Sequence, residues 1–245
     1  MPKIKFHEII IVLLAIVILT NPLWANGEWK YMKNMDVLTW LSYPMSLSGF
    51  TPFACIFPMI PYGMRFIEEY NSGYAKMRII RGSRKSFLRH YICRTLLSGG
   101  LTMIVIMGSV MIICILGGIP TRPGRYSDGF YEGTIWEPYL YIGGGKLVLL
   151  CKLCLAVLFG EVWSLVSLLV GCIWTNRYAA IVLPFVCYQL LWNLLQGNVW
   201  NPVFLLRGDY RFYTSVWEPF LYQGIVLFIL ILFTLIALRR KSYDL

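Results

Sequence analysis

Residues 147–174 read LVLLCKLCLAVLFGEVWSLVSLLVGCIW, an apolar run in which Lys152 and Glu161 are the only charged side chains. A helix needs about 20 apolar residues to cross the roughly 30 Å hydrocarbon core of a bilayer, where it satisfies its own backbone hydrogen bonds. The run is long enough for such a crossing. It therefore predicts a membrane-spanning α-helix.

The rest of the chain repeats this pattern. Five further apolar runs occupy residues 8–24, 37–62, 95–119, 179–195 and 220–238. Hydrophobic residues make up 58% of the 245-residue chain and charged residues only 14%, which is unlike a globular domain. We predict an all-α integral membrane protein with six transmembrane helices, forming one transmembrane domain over residues 1–245. The longer connecting segments are 65–94, 120–146 and 196–219.

Lysine and arginine are distributed unevenly between the two sides of this six-span topology. With the N-terminus inside, the cytoplasmic segments hold fourteen of them and the outer segments hold seven. Because positively charged loops are retained in the cytoplasm, both termini and the 65–94 loop are predicted to be cytoplasmic. The same bias accounts for the net charge of +10 without a nucleic-acid partner.

The first run also has the layout of a signal peptide, because Lys3 and Lys5 precede its apolar core. A cleavage site requires small residues at alternating positions, whereas the sequence Leu23, Trp24, Ala25 places a bulky side chain where a small one is needed. We favour a retained first span over a cleaved signal peptide.

No group of residues in the sequence supports catalysis or cofactor binding. The phosphate-binding pattern G-x-x-x-x-G-K-[ST] is absent, and the two histidines, His7 and His90, are too few for a His-based catalytic or metal site. Cys151 and Cys154 have the spacing of half a zinc site, but no second pair completes it. The sequence predicts a non-catalytic chain with no metal or cofactor of its own.

The two charged residues of the 147–174 run call for different explanations. Lys152 lies near the outer surface, so we expect its ammonium to extend to the lipid headgroups. Glu161 lies deeper, where a charge costs on the order of 2.5 kcal/mol or more. It is expected to face a neighbouring helix, a water-filled cavity or a subunit interface, or to be protonated. A transport or assembly role and a structural hydrogen bond are both open.

Prolines mark the second run, at positions 44, 52, 58 and 61. Each one removes a backbone donor and clashes with the preceding turn, so a straight helix is not expected over 37–62. A broken helix is tolerated in a membrane where it lines a cavity or is buried in protein. The broken helix therefore either lines a pathway or forms a static kink.

One internal repeat stands out, because residues 135–141 read IWEPYLY and residues 216–222 read VWEPFLY. Proline is favoured in the first turn of a helix, and Trp and Tyr prefer the headgroup level of the membrane. Each copy therefore predicts the start of a helix at the outer face. The alternative is a collar of aromatic residues that contacts a substrate.

The 65–94 segment is both basic and amphipathic. It holds eight Lys/Arg residues together with Glu68 and Glu69, and it is also rich in Ile, Met, Phe and Tyr. This mixture is too charged for the lipid core and too apolar for a disordered tail. It predicts a short amphipathic helix at the membrane surface.

Taken together, these features make the chain similar to the membrane subunits of ABC transporters of the ABC-2 type, particularly the small six-span permeases of bacterial export and peptide immunity. The resemblance is carried by six spans with both ends inside, and by a basic loop with an acidic pair, Gly73 and the Arg-Gly-Ser-Arg sequence 81–84. It extends to the short turn 175–178, followed by Ala-Ala-Ile-Val-Leu-Pro, and to the outer segment 197–218 before the last span.

This resemblance implies a bacterial plasma-membrane protein in which two permease subunits form the path for a peptide, lipid-like or other amphipathic cargo. A separate cytoplasmic ATPase that holds ATP and Mg would drive export. The 65–94 loop would be the coupling helix, with an apolar face of Tyr74, Met77, and Ile80 or Phe87, and with basic residues that meet the ATPase or membrane lipid. The coupling residues implied are Glu68, Glu69, Gly73, Arg78, Arg81, Gly82, Ser83, Arg84, Lys85 and Arg89.

Spans two and five border the substrate path in this family. Together with the intramembrane glutamate, the path residues implied are Pro52, Phe57, Met59, Glu161, Trp192 and Asn193. The competing hypothesis is a membrane protein that works without ATP, such as a small secondary carrier or channel, or a membrane-embedded enzyme, for which the sequence offers no catalytic residues. For the basic loop alone, the alternative is anchoring to anionic lipid with no protein partner. A carrier is expected to hold several intramembrane ionisable sites, and this chain has few.

Overall fold

A computed structural model describes residues 6–24, 35–123, 131, 133–208 and 211–243. Over these residues the regular structure is helical, apart from one isolated parallel bridge between Asp36 and Ile119. The helices are α1 (Phe6–Trp24), α2 (Val37–Leu47), α3 (Phe50–Phe53), α4 (Ile56–Met59), α5 (Arg65–Asn71), α6 (Tyr74–Arg81), α7 (Arg84–Gly117), α8 (Lys146–Trp174), α9 (Ala179–Leu194), α10 (Pro202–Arg207) and α11 (Glu218–Lys241). Two 3₁₀ turns, Glu137–Tyr139 and Ile142–Gly145, precede α8.

Among the described residues, three helical segments are long and apolar enough to cross a membrane: α7, Ile142–Trp174 and α11. Shorter apolar helical segments occur at Ile9–Asn21, Phe50–Met59 and Ala179–Leu194. The prediction of an all-helical chain with membrane-length apolar helices is confirmed in this form, and the number of six spans stays a prediction. Lys3, Lys5, Ala25 and parts of the 120–146 and 196–219 loops lie outside the described residues.

The second apolar run is broken, as its prolines predict. In place of one helix over 37–62, the chain forms the three short helices α2, α3 and α4. α2 ends at Leu47 and is capped by Ser48, whose backbone N–H donates to the carbonyl of Pro44. Pro52 and Pro58 then fall inside the two four-residue helices that follow. Because proline cannot donate a backbone hydrogen bond, long regular helix is disfavoured throughout this segment.

The helix that contains the third apolar run is longer than the run itself. The run begins at residue 95, whereas α7 begins at Arg84 and continues for 34 residues. Ser83 is the cause, because its hydroxyl accepts a hydrogen bond from the Ser86 N–H at 3.2 Å and caps the first turn. The last third of the predicted 65–94 loop is therefore the rigid start of a long helix.

Helices α7 and α8 pack closely at a crossing of small residues. A Cβ added to Gly160 would lie 2.5 Å from the carbonyl oxygen of Gly99 and 2.6 Å from Cγ of Met103. One turn further along α8, the Ser164 hydroxyl donates to the Thr95 carbonyl of α7 at 3.2 Å. Small residues allow two membrane helices to approach at backbone distance, so this crossing holds the centre of the bundle together.

A buried carboxylate organises the end of the bundle where α2 begins and α7 ends. Asp36 is fully buried and caps α2, accepting hydrogen bonds from the Leu38 N–H at 3.3 Å and the Thr121 hydroxyl at 2.9 Å. Beside it, the Val37 N–H donates to the Ile119 carbonyl at 2.9 Å. These contacts tie the first residues of α2 to the segment that leaves α7.

Candidate functional site: the basic end of the helical bundle

Three segments that are far apart in sequence meet at one end of the bundle, which we call the basic end: residues 65–94, 175–178 and 239–243. Arg177 pairs with Glu68 at 3.6 Å between Nη1 and Oε1. Arg84 lies over the ring of Tyr243, with its Cζ 4.3 Å from the ring centroid. The basic segments that the charge distribution assigned to one side of a membrane are therefore neighbours in space.

Glu69 connects the three helices of this region. Its Oε1 lies 3.6 Å from Nε of Arg65 on α5, and its Oε2 lies 3.3 Å from Nη1 of Arg78 on α6. The hydroxyl of Tyr91 on α7 donates to Oε2 as well. The Glu69 side chain is only 15% exposed, so these contacts form largely out of water, where charge-assisted hydrogen bonds are strong. Glu69 thereby fixes α6 against α5 and α7.

The loop glycine that the sequence singled out makes this arrangement possible. Gly73 separates α5 from α6 with a φ of 75°, in the left-handed region that side chains other than glycine rarely adopt. The turn reverses the chain after Asn71, and α6 can then lie beside α5. At the other end of α6, Gly82 and the capping Ser83 lead directly into α7.

Helix α6 carries an exposed apolar face. Tyr74, Met77 and Ile80 are 51%, 55% and 73% exposed, while Ala75 on the opposite side is fully buried. Their spacing of three residues puts them along one side of the helix. Phe87, which the sequence offered as an alternative member of this face, is buried against Tyr91 with ring centroids 4.8 Å apart. The face is therefore built by the first three alone.

Most of the predicted coupling residues lie at the surface. The exposed members are Gly73, Arg81, Gly82, Ser83, Arg84, Lys85 and Arg89, and of these Arg81 and Gly82 line one surface groove with Tyr74 and Met77. Arg78 is not among the exposed members, because its guanidinium turns inward to Glu69 and lies over the rings of Tyr74 and Tyr91. Burial alone lowers the pKa of Arg78, but Glu69 together with the nearby tyrosines more than offsets this effect, so the pKa lies above its usual value. Arg78 is thus a permanent cation with a structural partner.

The residues that sequence reasoning missed here are Arg65 and Tyr91. The spacing of Arg65 and Glu69 by four residues is a local signal for an ion pair on a helix, and it was available in the sequence. Tyr91 lies 22 residues from Glu69. No local pattern indicates a contact over that separation, because it depends on how α5 folds back on α7.

The predicted path residues on α3 and α9 are partly brought together. The side-chain amide of Gln189 donates to the Pro52 carbonyl at 2.6 Å and so joins the two helices. Trp192 is half-buried, with its ring centroid 6.3 Å from that of Tyr188. Asn193 is exposed one turn after Gln189, and its amide donates to the Gln189 carbonyl at 2.7 Å. Pro52 and Trp192 therefore belong to one region, whereas Asn193 lies at the surface.

Phe57 and Met59 lie inside the protein. Both are buried in the hydrophobic core, and the ring of Phe57 stacks on that of Phe50 with centroids 5.3 Å apart. Their role as path residues stays a prediction. In this structure they stabilise the junction of α3 and α4.

Glu161 lies apart from the other predicted path residues. It is half-buried and faces α7, where a Cβ added to Gly100 would lie 3.3 Å from its Oε1. Trp163 is about 200° further round α8, and its ring packs edge-on against Tyr188 of α9 with centroids 5.2 Å apart. Among the surroundings expected for Glu161, the structure therefore shows the neighbouring helix.

Lys152 does not extend to the membrane surface as predicted. It is only 6% exposed, and its ammonium donates to the Arg207 carbonyl at 2.8 Å. The rings of Tyr131 and Trp136 lie 5.2 Å and 5.9 Å from Nζ, within the range of cation–π attraction. These aromatic and carbonyl groups replace the headgroups as partners of the charge. Lys152 thus joins α8 to the last residue of α10.

The two copies of the Trp-Glu-Pro repeat share one local contact. The carboxylate of Glu137 accepts from the Gly133 N–H at 2.9 Å, and that of Glu218 accepts from the Thr214 N–H at 3.0 Å. The second copy begins the long helix α11, as predicted. The first begins only a three-residue 3₁₀ turn, because three glycines at 143–145 with positive φ separate it from α8.

Comparison with known proteins finds no family model that matches the chain, no similar curated protein and no similar solved structure. Within the described residues, no group of three His, Cys, Asp or Glu side chains is placed to hold a metal ion.

Proposed function

We propose that this chain is the membrane subunit of an ATP-driven bacterial transporter of the ABC-2 type, with six spans and both termini in the cytoplasm. The observation that carries the proposal is the exposed face of α6, formed by Tyr74, Met77 and Ile80, in a segment that also exposes Arg81, Arg84 and Lys85. A short amphipathic helix of this kind fits a groove in a partner protein. The partner we propose is a separate cytoplasmic ATPase that binds ATP and Mg.

The network around Glu69 supplies a mechanical link for this function. α6 is held to α5 through the ion pair of Arg78 with Glu69, and α5 is held to α7 through the Tyr91 hydroxyl, which donates to Glu69. A displacement of α6 by an ATPase would therefore act through Glu69 on α7, a continuous helix of 34 residues. Small shifts at packed helices produce larger rearrangements because packed interfaces favour discrete arrangements. Movement at the basic end would then alter the α7–α8 pair.

The transporter would export a peptide, a lipid-like molecule or another amphipathic cargo, and it would contain a second permease subunit. The exposed surface of α11 supports that second subunit or a lipid contact, since Phe228, Phe233 and Ile236 are all exposed there. Lipid or another apolar helix satisfies such a surface in a membrane. The charge of Glu161, which faces α7, is available for transport or for subunit assembly.

A charge-reversal experiment tests the proposal. The triple variant Arg81→Glu, Arg84→Glu, Lys85→Glu changes three exposed cations beside the α6 face. The matched control, Arg122→Glu, Lys146→Glu, Arg211→Glu, changes three exposed cations elsewhere on the chain. Like charges at an interface oppose association, so we expect at least a tenfold loss of affinity for the ATPase in the first variant only.

The measurement is co-purification of the chain with an ATPase from its native membranes, followed by ATP hydrolysis in liposomes. If no ATPase accompanies the wild-type chain, or if both triple variants bind it equally, the proposal is wrong. Transport of cargo by the chain alone in liposomes without ATP would establish the secondary carrier or channel instead.

A further inference from the structure

A polar cavity and an apolar groove meet beside the basic end. The cavity has a volume of about 350 Å³, and its charged lining consists of Arg65, Glu69, Arg78 and Arg94. The groove has a volume of about 700 Å³ and runs between α1 and α7. Its apolar walls include Ile9, Leu13 and Ile16 of α1 and Leu97, Leu101 and Val105 of α7.

The two spaces share the residues Tyr62, Arg65 and Arg94, so they form one continuous amphipathic site. The cations stand at one end of the groove, and the rest of its lining is apolar except for Ser98 and Thr102. From Arg94 to Val105 the rise along α7 is about 16 Å at 1.5 Å per residue. That length is about half the roughly 30 Å thickness of a hydrocarbon core, which corresponds to one leaflet of a bilayer.

The charge of the cavity favours an anion. Three arginines line it against one carboxylate, and Arg65 and Arg78 both pair with that carboxylate, Glu69. Arg94 is exposed and has no ion-pair partner among the described residues. Guanidinium groups bind phosphate oxygens through two parallel hydrogen bonds, which gives a phosphate both charge and geometry to recognise.

We propose that this site binds one anionic glycerophospholipid. Its phosphate would lie between Arg65 and Arg94, and an acyl chain would follow the groove between α1 and α7. The continuous apolar groove favours a lipid over a free phosphate, because only a lipid occupies both halves of the site. The proposal requires that the chain lies in a membrane, and it is independent of docking to an ATPase.

The experiment uses the full chain purified in detergent and freed of lipid. Phosphatidylglycerol, phosphatidylcholine or glycerol phosphate is added, and its binding is measured by native mass spectrometry and by the change in thermal unfolding. Phosphatidylcholine tests the requirement for net charge, and glycerol phosphate tests whether a headgroup suffices without the acyl chains. Two variants divide the site: Arg94→Gln removes the exposed cation, and Leu101→Trp fills the groove.

Each variant has a matched control outside the site. Lys146→Gln removes an exposed cation at the start of α8 that does not line the cavity, and Leu116→Trp enlarges a side chain that is 82% exposed and outside the groove. Removal of a hydrogen bond to a charged group costs about 1.5–3 kcal/mol, so we expect Arg94→Gln to weaken phosphatidylglycerol binding by at least about tenfold. Leu101→Trp should weaken binding to a similar degree, and both controls should bind as wild type does.

Equal binding of phosphatidylglycerol and phosphatidylcholine by the wild-type chain would overturn the proposal. Binding of glycerol phosphate as tight as that of phosphatidylglycerol would also overturn it, because the groove would then contribute nothing. These comparisons need only the wild-type chain, so they decide the matter even if a variant fails to fold. They contain no ATPase, and their failure is thus distinct from failure of the proposed transporter function.

Discussion

Alanine at Gly160 should destabilise the bundle, because the new Cβ would lie 2.5 Å from the Gly99 carbonyl oxygen and 2.6 Å from Cγ of Met103. The first of these neighbours is backbone and cannot move away unless the helices separate. Gly108 on α7 is the matched control, since a Cβ there meets nothing within 4 Å. Both substitutions replace a helical glycine with alanine, and this change by itself stabilises a helix by about 1 kcal/mol.

The difference between the two variants therefore isolates the crossing of α7 and α8. Overpacking of a tight contact costs about 1–3 kcal/mol, so Gly160→Ala should be about 2 kcal/mol less stable than Gly108→Ala. For a chain of this length that difference corresponds to roughly 4–8 °C in Tm. The assay is thermal unfolding in detergent, followed by circular dichroism. Equal Tm values for the two variants would refute the close approach of α7 and α8 at Gly99 and Gly160.

Two further predictions concern buried charges. Glu69→Gln removes the counter-ion shared by two arginines, so amide hydrogen exchange in α6 should become roughly tenfold faster. Arg89→Gln should leave the exchange rate unchanged. If exchange in Glu69→Gln is also unchanged, Glu69 does not link the helices. Lys152→Met should lower the free energy of unfolding by about 1–2 kcal/mol through loss of a hydrogen bond and cation–π contacts, whereas Lys146→Met, at an exposed position, should change it by less than about 0.5 kcal/mol. Equal stability of these two methionine variants would show that the aromatic cage contributes nothing.

Local features of the sequence account for much of the architecture. The run at 147–174 corresponds to α8 within one residue at its start, because a long apolar segment in this composition has few alternatives to a helix. The second run forms short helices because its prolines lack the backbone N–H that a continuous helix needs. Gly73 and the Ser83 region were singled out in the sequence, and both stand at helix boundaries.

Long-range contacts account for what the sequence did not predict. Lys152 was expected at the headgroups because its nearest aromatic and carbonyl partners could not be read locally; its hydrogen-bond partner Arg207 lies 55 residues away. Arg78 was predicted to lie on the docking surface. The pattern of residues along a helix shows which of them share a side, but not what that side packs against. The contact with Glu69 that turns Arg78 inward depends on the reversal at Gly73.

The most direct measurement of the central claim uses a photo-crosslinking amino acid at Ile80, the most exposed residue of the α6 face, with Leu116 as the control position. Ile80 lies beside the basic end and Leu116 lies in the last turn of α7, at the opposite end of that helix. In native membranes, irradiation should join Ile80 to an ATPase that binds nucleotide, and Leu116 should give no such product. If Ile80 is joined only to lipid, or if both positions give the same products, α6 is not the docking site for an ATPase.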